Sequence, residues 1–141
     1  MVFGRKFSRG RSGRTALFRS LIRALVLSGK IVTTKARAKA ITGQIDKYVS
    51  QAQKGGVSLR RKVLAKMGND RETVDKLFGK VAQSFTGRKS GFTRTTLLPR
   101  RKGDNAEMAI LEWVEKIADK QSLPLRGSEK VIAKIKKSTT K

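Results

Sequence analysis

Residues 1–45 contain eleven Lys and Arg and no Asp or Glu; the first acid is Asp46. Nothing in that third of the chain can neutralise its own charge. Any helix formed there must bury a narrow apolar stripe and turn its cations outward. A compact body so charged repels itself, and a polyanion that binds the folded form stabilises it. The pattern recurs at residues 86–103, where Arg88, Lys89, Arg94, Arg100, Arg101 and Lys102 meet no acid. The sign then reverses: residues 104–119 hold Asp104, Glu107, Glu112, Glu115 and Asp119 against Lys116 alone. A charge kept only for solubility would be mixed in sign along the chain. This sided distribution is the footprint of a nucleic-acid binder.

The whole chain of 141 residues carries a net charge of +24, from 34 Lys and Arg against 10 Asp and Glu. Nucleic acid, an anionic membrane surface and an acidic protein are the partners such a charge admits. No apolar run approaches the roughly 20 residues of a membrane span, and no apolar stretch of signal-peptide type follows the basic start. Cysteine and histidine are both absent, which removes thiol nucleophiles, imidazole bases and nearly all zinc sites. Glu107, Glu112 and Glu115 are the only carboxylates clustered enough to suggest catalysis. Glu112 and Glu115 are three apart, so on a strand they point to opposite faces. The expectation is a chain with no enzymatic activity, no cofactor, no metal and no small-molecule substrate.

Residues 1–13 (MVFGRKFSRGRSG) cannot bury enough apolar surface to fold alone. They read as a basic arm that inserts into RNA, against the simpler reading of a solvated end. Phe3 and Phe7 favour the arm slightly, since a ring can stack on an unpaired base. From residue 14 to 27, Leu17, Phe18, Leu21, Ile22, Leu25 and Val26 mark one helical face, and Gly29 suits a left-handed cap. KIVTT (Lys30–Thr34) is strand-like. A second helix follows over about 35–53, capped by Thr33 or Thr34, with Ile41, Ile45, Tyr48, Val49 and Ala52 inward. Lys35, Arg37 and Lys39 crowd its first turns, where the helix dipole disfavours cations. That placement points to phosphate contact, with a tolerated surface cluster as the alternative.

Gly55-Gly56 breaks the chain before a short helix at about 58–67, capped by Ser58. Asn69 and Glu72 have capping-box spacing ahead of a helix bearing Val74, Leu77, Phe78, Val81, Ala82 and Phe85. Residues 92–98 and 108–114 read as two antiparallel strands about a turn at 100–105, with KIVTT in the same sheet. Trp113 and Leu111 share a strand face, which favours a core role for Trp113 over RNA stacking. A short basic helix is expected at about 128–137. The fold class is α+β: a helical layer on a small mixed three-stranded sheet, in the order α-β-α-α-α-β-β. The chain divides into an arm (1–13), a globular domain (14–120) and a basic tail (121–141).

Five segments in order make the reading specific. They are RTALFRSL (14–21), IVTTKARAKAI (31–41), RRKVLAKM (60–67) followed by KLF (76–78), RKSGFTR (88–94), and RRKGDNAEMAILEWV (100–114). Together the sequence resembles the ribosomal protein L-seventeen family of the bacterial large subunit, over roughly residues 14–114. The arm keeps the family's charge but not its Met-Arg-His-Arg-Lys start, and Ser90 and Phe92 stand where the family has Gly and Tyr. The resemblance implies a cytoplasmic ribosomal protein that binds large-subunit ribosomal RNA near the polypeptide exit region. It also implies neighbouring ribosomal proteins, the L-thirty-two protein among them. The candidate RNA-binding residues are Arg5, Lys6, Arg9, Arg11, Arg14, Arg19, Arg23, Lys35, Arg37, Lys39, Arg60, Arg61, Arg88, Lys89, Arg94, Arg100, Arg101 and Lys102. From composition alone, a DNA-packaging protein is the rival, because phosphate neutralisation carries no sequence information.

Overall fold

The structure, a computed structural model, describes residues 5–115 and 117. Phe3 and the expected helix at 128–137 lie outside the described residues. Four helical segments and three strands follow one another: α1 (Arg11–Ser28), β1 (Lys30–Thr34), α2 (Lys35–Lys54), α3 (Val57–Met67), α4 (Arg71–Lys76), β2 (Thr93–Leu98) and β3 (Met108–Trp113). After α4 the helix widens into a π turn (Leu77–Val81) and ends in a last turn, α5 (Ala82–Ser84). The wider turn buries Leu77 and Val81, and Phe85 is buried just beyond α5.

The sheet has strand order β1-β3-β2, and both pairings are antiparallel. The expectation of one sheet holding KIVTT and the two later strands is borne out; the expectation of a mixed sheet is not. β1 and β2 do run parallel to each other, but β3 lies between them, so no parallel ladder forms. Ile110 sits opposite both Val32 and Thr96. β3, paired on both sides, alternates strictly, with Ala109, Leu111 and Trp113 buried. These three face the helical layer, where Ile41, Ile45 and Val49 of α2 and Ile22, Leu25 and Val26 of α1 complete the core. Trp113 belongs to that core: its Nε1–H donates to the carbonyl of Leu25 at 3.3 Å. Its ring also lies 5.8 Å from that of Phe85, which in turn meets Phe92 edge-on at 5.2 Å.

Four local expectations are corrected. α1 begins at Arg11 rather than residue 14, with Arg14 N–H bonded to Gly10 O at 3.0 Å. Phe7 packs edge-on against Phe18, with ring centroids 6.1 Å apart, which fastens the preceding segment and lets the helix start earlier. Thr34 stands at the N-terminus of α2 but makes no capping bond, and Gly56 rather than Ser58 precedes α3. Before α4, Asn69 adopts a left-handed φ of 63° beside Gly68, so the cap passes to Asp70. The Asp70 carboxylate accepts from Thr73 N–H at 3.3 Å and from Thr73 Oγ1–H at 2.7 Å. Gly29, at φ 78°, closes α1 as a left-handed cap, as the sequence indicated.

Candidate nucleic-acid interface

The cations divide according to whether an acid reaches them. On the sheet side the acids of residues 104–115 are all engaged. Arg94 forks Nε and Nη2 onto one oxygen of Glu112, at 3.1 and 2.9 Å. Glu107 lies between Lys35 at 3.2 Å and Arg100 at 3.7 Å, and its carbonyl accepts Lys35 N–H. Arg88 reaches Glu115 at 3.6 Å. Arg101 Nε donates to Asp104 at 3.0 Å, and this bond, with another from Ala106 N–H, lowers the Asp104 carboxyl to about 2. On the helical side Arg23 pairs with Asp70 at 3.2 Å, and Arg60 with Asp75. Asp70, beside Arg23, is the more buried acid; most of these pairs are exposed and add little to folding. Their larger effect is to occupy guanidinium donors that a phosphate would otherwise use.

Two further candidates bond to backbone. Arg19 Nε donates to Lys66 O at 2.7 Å, tying α1 to α3, and Arg9 Nη1 donates to Phe7 O at 3.3 Å. The rest of the candidate set has no ion pair among the described residues: Arg5, Lys6, Arg11, Arg14, Arg37, Lys39, Arg61, Lys89 and Lys102. Most of these lie before and within the first turns of α1, at the start of α2, and on α3.

Local sequence explains the placement. Neither α1 nor α2 has an acid in its first turn or a side-chain cap. Their first N–H groups are therefore left without side-chain acceptors, and cations stand beside them. A helix stabilised for its own sake would carry the opposite sign there. Helix starts without side-chain caps, flanked by Arg and Lys that have no ion pair, make an anion-receptive surface, although at α2 the Lys35 N–H is already taken by Glu107 O. Glu107, beside Lys35, relieves the mismatch only at the α2 N-terminus.

The sequence did not single out a cleft between α1, α2 and α3, lined by Thr15, Phe18, Arg19, Ile22, Gln44, Tyr48 and Lys66. Helical spacing puts Phe18 and Tyr48 on packing stripes but does not tell which end of a stripe stays open. The contact from Arg19 to Lys66 spans 47 residues and leaves no mark on local pattern.

Fold and surface together define a class: a small basic α+β protein with most of its described acids in ion pairs and many cations without one, the starts of α1 and α2 among their places, suited to a polyanionic partner. The family model described as "Ribosomal protein L17" matches residues 17–114. The chain belongs to that family, whose members are ribosomal structural proteins and not enzymes. It is similar to the large ribosomal subunit protein bL17 of Hydrogenobaculum sp. (strain Y04AAS1), 43% identical over 110 residues, covering 77% of this chain and 92% of that protein. The protein of the same name from Anaeromyxobacter sp. (strain K) is 37% identical over 115 residues, covering 82% of this chain and 72% of that one. Among the described residues no helix is long and apolar enough to cross a membrane.

Proposed function

We propose that this chain is a structural component of the large ribosomal subunit that holds ribosomal RNA by phosphate contacts. The observation that carries the reading is that Arg11 and Arg14 near the start of α1, and Arg37 and Lys39 near the start of α2, have no ion pair among the described residues, on two helices that lack side-chain caps. Arg5, Lys6, Arg61, Lys89 and Lys102 extend this surface. Arg9, Arg19, Arg23, Lys35, Arg60, Arg88, Arg94, Arg100 and Arg101 contribute through donors that their internal partners leave over. Membership of the family supports a place in the cytoplasmic ribosome. A position near the polypeptide exit region, beside the L-thirty-two protein, is the finer form of this proposal. It rests on the resemblance of the five segments.

The test is a salt titration of the isolated protein on ribosomal RNA fragments. Log affinity falls linearly with log salt, by roughly 0.7 per phosphate neutralised on single strands. A steep fall is the expected result. A flat response would contradict phosphate-led binding, and equal preference for duplex DNA at matched salt would favour a packaging role.

A further inference from the structure

The cleft between α1, α2 and α3 joins three things seldom placed together. It measures about 170 Å³ and has half-buried aromatic rings, Phe18 and Tyr48, on its walls. It carries uncommitted polar groups: neither the Gln44 amide nor the Tyr48 hydroxyl has a hydrogen bond among the described residues, and Lys66 has no ion pair there. It also has a fixed cation, since the Arg19 guanidinium is held by Lys66 O at 2.7 Å and rests against Gly68. No carboxylate lines it. Burial raises the Tyr48 hydroxyl above its ordinary value near 10, with Arg19 offsetting part of the effect. The phenol therefore stays protonated and able to donate. Arg14 lies one residue before Thr15 on α1, and Arg37 lies two turns before Gln44 on α2; neither has an ion pair among the described residues.

An aromatic wall, an amide that both donates and accepts, and cations for the flanking phosphates are what an unpaired nucleotide needs from a protein. A purely structural crevice would have its amide and phenol bonded to backbone, or apolar residues in their place. We infer that this cleft receives a single nucleotide extruded from RNA, its base against Phe18 and Tyr48 and its edge read by Gln44. This rests on the RNA-binding reading above and adds a base-specific site to a phosphate-directed surface.

The test uses the full chain and two hairpin RNAs that differ by one bulged nucleotide. The bulged hairpin should bind on the order of tenfold more tightly, the scale of one base–aromatic stack. The double variant Gln44→Ala/Tyr48→Ala, which removes the stacking ring and the amide together, should erase that difference while leaving affinity for the plain hairpin and the salt slope unchanged. A thermal melt of the variant checks that the fold is kept. Free AMP, which offers a base and one phosphate but no flanking RNA backbone, should bind at least roughly a hundredfold more weakly than the bulged hairpin. Equal affinity for the two hairpins, a preference that survives the double variant, or AMP binding as tight as the bulged RNA would each overturn the inference. If neither hairpin binds in a salt-dependent way, the RNA reading itself fails, which is a separable result.

Discussion

Whether a carboxylate lies within reach decides which arginine a phosphate can claim. Arg94 is exposed and looks available in sequence, yet its fork is closed on Glu112 at 2.9 Å. Arg37 and Lys39 have no such partner among the described residues. Neutralising the free pair, Arg37→Gln with Lys39→Gln, should flatten the log–log salt slope for RNA by roughly 1.4 to 1.8, the share of two phosphates. Arg94→Gln should change the slope by less than half as much, and filter binding across a salt series measures both. A second prediction concerns Asp104, whose carboxyl Arg101 holds at about 2 against an ordinary 3.8. A group lowered in the folded state lends its stability above the unfolded value and loses it as pH falls through the folded one. The turn at residues 101–104 should therefore stay closed down to about pH 4 and open between about pH 4 and 2. NMR titration of the Asp104 carboxyl should give a midpoint near 2; a midpoint near 4 would show that the contact does not persist in solution.

At the scale of elements, local pattern carried most of the fold. The stripe Ile22, Leu25, Val26 and the alternation of β3 name their buried faces directly, because helix and strand periods are properties of the backbone. Boundaries set by tertiary contact were not legible. The early start of α1 depends on Phe7 meeting Phe18, and the purely antiparallel sheet depends on which strand takes the middle. The capping box failed for a local reason: the left-handed Asn69 moved the cap one residue on. The candidate interface was legible as a list of cations but not as a division between paired and free ones. That division depends on partners distant in sequence, as between Lys35 and Glu107 or Arg94 and Glu112. Two stability predictions belong here, both read by urea unfolding of the isolated protein. Asp70→Ala should cost about 1–2 kcal/mol, through the lost cap of α4 and the lost Arg23 partner. Phe85→Ala should cost about 3–5 kcal/mol, because the ring is fully buried between Phe92 and Trp113.

Taken as a whole, the molecule combines an ordinary core with an unbalanced surface. The helical layer buries its apolar stripes on one face of a three-stranded sheet, while ten acids answer only part of the charge of 34 cations. The acids are concentrated where the hairpin and the sheet need local neutrality, which leaves the starts of α1 and α2 electropositive. A polyanion that binds the folded form of such a protein would stabilise it, so its behaviour in the assembled particle is decisive. The most direct test is sedimentation of cell extracts through sucrose gradients at rising salt. The protein should travel with the large ribosomal subunit through moderate salt, and the Arg37→Gln/Lys39→Gln variant should leave at lower salt than Arg94→Gln. Recovery of the protein only with nucleoid DNA, or release of both variants at the same salt as the unmodified chain, would contradict it.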